Sequence, residues 1–161
     1  THWAQQWADV HEAVFVDLDH QIEQEVGKSV LDIFDENGEV FFREVEAKKL
    51  REISSADNLI VSTGGGAPCF HDNMQWMNEH GITVLLEAGP QYILERVLHE
   101  KQKRPLIKNL NEAELLFFIQ QKLEERMPFY SQAQYRLSAE NLTYDSLLQI
   151  IPTLHKSTGN A

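Results

Sequence analysis

Gly64-Gly65-Gly66 follow directly on the apolar run Leu59-Ile60-Val61-Ser62-Thr63. One glycine at a strand end makes a turn. Three in succession strip every side chain from a stretch of backbone, so that a ligand can lie against its N–H groups. The run carries a conformational-entropy cost that a purely structural turn rarely requires. It predicts a strand whose carboxyl end opens onto a small-molecule site.

The rest of the chain supplies a fold for such a strand. Apolar runs at Ala13–Val16, Leu59–Ser62, Ile82–Leu86 and Tyr135–Ser138 read as strands. Between them lie segments of helical period, from Thr1 to Val10, His20 to Glu25, Val30 to Asp35, Phe41 to Ser54, Asp72 to His80, Pro90 to about Glu100, Asn111 to Met127 and Tyr144 to Leu154. Gly27 and Gly81 close two helices, Ser29 and Asn111 cap two others, and Asn37-Gly38 marks a turn. Strands alternating with helices predict an α/β fold with a parallel sheet covered on both faces, whose ligands sit beyond the carboxyl ends of the strands. At 161 residues the chain fits a single domain, with a core to about residue 154, a polar tail over 155–161 and a basic loop over about 101–111.

A formal net charge of −11 argues against a general nucleic-acid or anionic-membrane partner. It leaves room for an anionic small ligand held by a few local arginines. The single cysteine, Cys69, excludes an internal disulfide framework and suits a reducing, cytoplasmic setting. No transmembrane run or signal peptide is legible.

Asp17 and Asp19 flank Leu18 at the end of the first strand. Alternate residues of an extended segment point the same way, so both carboxylates can face one site. One would hold Mg²⁺ directly or through water while the other takes a substrate hydroxyl; a solvated loop, or a helix cap by Asp19, is the plainer alternative. Glu46, three residues beyond Arg43, can fix that arginine as a planar fork for a carboxylate. A surface ion pair is the commoner outcome of such spacing. Arg104 lies in the basic loop, where a lid over phosphates and a solvated surface loop both fit. Arg126 stands near the end of the long helix, where the helix dipole alone favours a cation.

In their order, these pieces resemble the shikimate kinase family. The matching text is Phe15–Glu23, Gly27–Phe34, Asn37-Gly38-Glu39, Phe42-Arg43, Glu46, Ser62–Gly66, Arg104-Pro105-Leu106, and Glu125-Arg126 with Tyr130 and Ala133. The resemblance implies a P-loop kinase-like three-layer α/β/α fold and transfer of the ATP γ-phosphate to the 3-hydroxyl of shikimate, with Mg²⁺. By motif position, Asp19 looks like the residue that holds the accepting hydroxyl. Arg43 and Arg126 look like the carboxylate-binding pair, with Glu46 in support. Gly64, Gly65 and Gly66 look like the wall beside the shikimate ring. Asp17 resembles a Mg²⁺-shell residue, Arg104 the lid arginine that reaches the transferring phosphate, and Arg96 the arginine near adenine. The family begins with a strand and G-x-x-x-x-G-K-[ST]. Counting back from Asp17 puts Thr1 at the final Ser/Thr, a Mg²⁺ ligand, and the central strand upstream of Thr1. The resemblance also implies a monomer. Another small-molecule P-loop kinase, such as gluconate kinase, and a non-catalytic binding module are the competing readings.

Overall fold

Asp17 does two jobs in the computed structural model, which describes residues 1–53, 58–100 and 110–150. It is the last residue of strand β1 (Val14–Asp17) and the N-cap of helix α2 (Leu18–Val26), its Oδ1 accepting a bond from the His20 N–H at 3.2 Å. Before it comes α1 (His2–Val10), and after α2 a left-handed Gly27 (φ 73°) ends the helix. Helix α3 (Val30–Ile53) opens on Ser29, whose hydroxyl accepts from the Asp32 N–H. The expected Asn37-Gly38 turn is a one-residue kink within α3, where Gly38 takes φ 83° and ψ 171°, a conformation that a side chain would strain. Strand β2 (Leu59–Ser62) lies parallel to β1 with Asp17 opposite Ser62. A 3₁₀ turn (Ala67–Cys69) and helix α4 (Asn73–His80) follow.

Two compact units emerge from the chain. The first holds residues up to Ile82 and the segment from Thr143, which includes α7 (Ser146–Ile150 as described); the second runs from Thr83 to Leu142. In the first, α1 packs on β1 and β2 and α2 packs on α3, burying Leu18, Ile22, Ile33, Phe42, Leu50 and Ala67 in one cluster. Leu18 and Ile22 are one helical turn apart, so α2 drives a single apolar face into this cluster.

The second unit contains β3 (Val84–Glu87), α5 (Pro90–Glu100), α6 (Glu112–Tyr130) and β4 (Tyr135–Ser138). Strands β3 and β4 are parallel, and α5 packs on α6 around Leu94, Leu115 and Ile119. Asn111 and Glu114 form a reciprocal capping box at the start of α6. The helix does not stop at Met127 as expected: it carries Pro128 inside its last turn and ends at Tyr130. Among the described residues the strands form two parallel pairs, β1–β2 and β3–β4. No described helix is long and apolar enough to cross a membrane.

Candidate active site

The carboxyl ends of β1 and β2 bring Thr1, Asp17 and Ser62 together. The Thr1 hydroxyl donates to Asp17 Oδ2 at 2.9 Å and lies 3.3 Å from the Ser62 hydroxyl. Parallel register explains the meeting of Asp17 and Ser62, which face each other across the pair. Two hydroxyls and a carboxylate form an all-oxygen set. Such a set fits a hard cation like Mg²⁺, which keeps waters and phosphate oxygens and takes few protein ligands. No cluster of three or more His, Cys, Asp or Glu in metal-binding geometry occurs among the described residues.

Asp19 departs from the expected geometry. The extended segment ends at Asp17, so Asp19 sits in the first turn of α2 and alternation does not align the two side chains. The cap is Asp17, not Asp19, because the helix starts at Leu18, two residues earlier than a cap at Asp19 would need. The two carboxylates still act on each other. Burial pushes the Asp19 carboxyl above its ordinary value, the Asp17 and Glu23 charges push it further, and the Arg43 guanidinium pulls it back in part.

Arg43 is no surface ion pair. Its Nη1 donates to both Glu46 oxygens, at 3.1 and 2.8 Å, and Nε and Nη2 donate to Glu39 Oε1, each at 3.2 Å. The Glu46 side chain is 1% exposed and that of Arg43 11%. Burial outweighs the two bonds from Arg43 and holds the Glu46 carboxyl above its usual range. Phe34, Phe42 and Phe70 surround the guanidinium. The sequence spacing showed the pair; it did not show that α3 turns it inward.

The glycine run lies between these two groups. A Cβ built on Gly64 would stand 3.4 Å from Asp19 Oδ1, whereas one on Gly66 would stand 2.7 Å from Arg43 Nη1 and 2.8 Å from Cζ. The first is a snug contact; the second is an overlap. Gly66 has φ −84° and ψ −30°, which any residue adopts, so its glycine is needed for space and not for backbone freedom. Gly66→Ala must therefore displace the Arg43 guanidinium from its present position. The KM for a carboxylate-bearing acceptor should rise by about tenfold or more, at the scale of one charge-assisted hydrogen bond. Gly64→Ala should change it far less, and steady-state kinetics on the two variants check the ranking.

Arg126 lies in α6 of the second unit, half-buried, and forms no ion pair or hydrogen bond among the described residues. Arg96, on α5, donates to the Tyr92 hydroxyl at 2.9 Å, and that hydroxyl donates to the Ala139 carbonyl. Arg104 lies outside the described residues, as do nearly all of the basic loop and the tail. Ser62 and Phe70 went unnoticed in the sequence. Ser62 carried a usable signal, since it ends a strand immediately before the glycine run.

A family model described as shikimate kinase matches residues 1–154. A shikimate kinase of Bacteroides thetaiotaomicron is 47% identical over 128 residues, covering 80% of this chain and 73% of the relative. One from Flavobacterium johnsoniae is 35% identical over 92% of this chain and 87% of its own length. Among solved structures, a B. thetaiotaomicron shikimate kinase superposes with a TM-score of 0.87 at 41% identity, covering 96% of this chain and 90% of that one. A shikimate kinase from Acinetobacter baumannii, solved in complex with shikimate, gives a TM-score of 0.79 at 31% identity over 95% and 84% of the two chains.

Proposed function

The chain belongs to the shikimate kinase family, and from that premise we propose that it transfers the γ-phosphate of ATP to the 3-hydroxyl of shikimate. It has the family's P-loop kinase α/β fold and is an ATP-dependent kinase. One observation carries the assignment of roles: a half-buried carboxylate of raised pKa and a guanidinium locked by a buried glutamate border the same glycine run.

Phosphoryl transfer passes through a loose transition state that calls for alignment and positive charge more than covalent chemistry. Asp19 accepts a hydrogen bond from the attacking hydroxyl and takes its proton as that oxygen bonds to the γ-phosphorus and the bond from that phosphorus to the ADP oxygen breaks, releasing ADP. Arg43, already planar and anchored, offers its donors to the acceptor carboxylate, which sets the ring's orientation before reaction. Glu39 is the exposed partner of Arg43, its side chain 54% exposed, and yields those donors without uncovering a buried charge. The Gly64–Gly66 backbone lets the ring approach. Thr1 and Asp17 would hold Mg²⁺, directly or through water, and the bound ion would neutralise charge on the phosphate oxygens. For the remaining arginines we adopt the roles that the resemblance gives: Arg126 on the acceptor carboxylate, Arg96 near the nucleotide and Arg104 on the transferring phosphate. The acting species is a monomer in this reading, without a nucleic-acid or membrane partner.

A coupled ADP-release assay on the full-length protein tests this. Turnover is expected with shikimate and ATP and not with gluconate. Turnover with gluconate alone would transfer the chain to another kinase specificity, and shikimate binding without any ADP release would leave a binding module.

A further inference from the structure

Phe70 has no part in the reading above, yet its ring is the nearest of the three around Arg43. Its centroid is 4.5 Å from the guanidinium carbon, against 5.1 Å for Phe42 and 5.8 Å for Phe34. Phe34 and Phe42 both come from α3 and lie 4.6 Å apart as a pair, with Phe42 in the core. Phe70 instead comes from the segment after the glycine run and stays 37% exposed. A ring left over a third exposed across a cation does little to fill a core.

The backbone that delivers this ring is unusual. His71 and Asp72 follow with φ of 51° and 54°, two consecutive left-handed residues that are not glycine, a conformation that costs free energy at each. Arg51 holds them: its Nη2 donates to the His71 carbonyl at 2.8 Å and its Nη1 to Asn73 Oδ1 at 2.9 Å. Fully buried Asn73 donates through Nδ2 to the Ala67 carbonyl at 2.9 Å, and its N–H donates to the Phe70 carbonyl. Arg51 stands about two turns beyond Arg43 on α3. One helix thus presents the guanidinium and clamps the turn that lays a ring over it.

We propose that Phe70 is a positioning residue for acceptor recognition, held over Arg43 by the Arg51–Asn73 clamp so that its ring fixes the plane of the guanidinium. Glu46 grips only Nη1, and the exposed Glu39 alone holds Nε and Nη2, so once Glu39 yields those donors to the acceptor the group can pivot about Nη1. An aromatic face opposes the pivot. The proposal rests on Arg43 binding the acceptor carboxylate.

The test compares Phe70→Leu, which keeps most of the volume and loses the π face, with Phe70→Tyr, which keeps both. In the full-length enzyme Phe70→Leu should raise the KM for shikimate about threefold to thirtyfold, the scale of a partly desolvated cation–π contact. The KM for ATP should stay put, and Phe70→Tyr should restore the wild-type value. In an Arg43→Ala background, Phe70→Leu should add nothing. Equal shifts in both KM values, or no rescue by tyrosine, would make the ring a space-filler and overturn the proposal. If Arg43→Ala raises the KM for shikimate and Phe70→Leu does not, the proposal fails while the carboxylate role stands. If Arg43→Ala itself has no effect, that role falls and the proposal with it.

Discussion

Asp19→Asn should lower kcat by about a hundredfold to ten-thousandfold, the usual worth of a positioned general base, with the KM for ATP near its wild-type value. The substitution keeps the shape and a hydrogen-bond acceptor but removes the ability to take a proton. The surroundings of Asp19 favour that ability. Burial, Asp17 and Glu23 raise its proton affinity, and Arg43 restrains the rise. A more basic carboxylate is a better acceptor for a hydroxyl proton provided that it remains ionised at the working pH. Gly64 in turn keeps a side chain from crowding the carboxylate. Steady-state kinetics with each substrate varied in turn read the result. Turnover within a few-fold of wild type would reduce Asp19 to a group that only aligns the hydroxyl, or to none.

The strand and helix pattern was largely legible because it is local. Leu59–Ser62, Tyr135–Ser138 and Pro90–Glu100 fall where composition and period put them. Pro128 misled: its missing N–H leaves one helical bond unmade, yet α6 runs on to Tyr130, and beyond the proline the Ser131 N–H bonds the Met127 carbonyl at 2.8 Å. The parts of the site that stayed hidden depend on contacts distant in sequence. Thr1 meets Ser62 only through the parallel pairing of β1 and β2. Phe70 reaches Arg43 only because Arg51 ties the intervening turn to α3. The Arg43–Glu46 spacing was plain, but nothing in three residues of separation distinguishes a surface pair from one whose acid is 1% exposed. The glycine run signalled a close approach without naming what approaches. Part of the answer is protein: the Arg43 guanidinium already occupies the space that a Cβ on Gly66 would enter, and the Asp19 carboxylate lies in contact distance of one on Gly64.

Arg43→Ala should raise the KM for shikimate by about two to three orders of magnitude, as expected when one partner of a desolvated, hydrogen-bonded charge pair is removed, and leave that for ATP nearly unchanged. The variant also strands Glu46, which is buried and already holds its proton more tightly than an ordinary carboxyl. Without the guanidinium, its proton affinity rises further and the folded state prefers the neutral acid. A folded-state pKa above the unfolded value means that the contribution to stability is full below the unfolded pKa and is lost as pH rises through the folded one. Arg43→Ala should therefore melt at a lower temperature at neutral pH than under mildly acidic conditions. Adding Glu46→Gln removes the stranded charge, so the double variant should lose that pH dependence and regain part of its melting temperature. Its KM for shikimate should stay as high as in Arg43→Ala, because the donors for the carboxylate are still missing. Recovery of shikimate affinity along with stability would mean that Arg43 acts by supporting the packing of α3, and the carboxylate role would be lost.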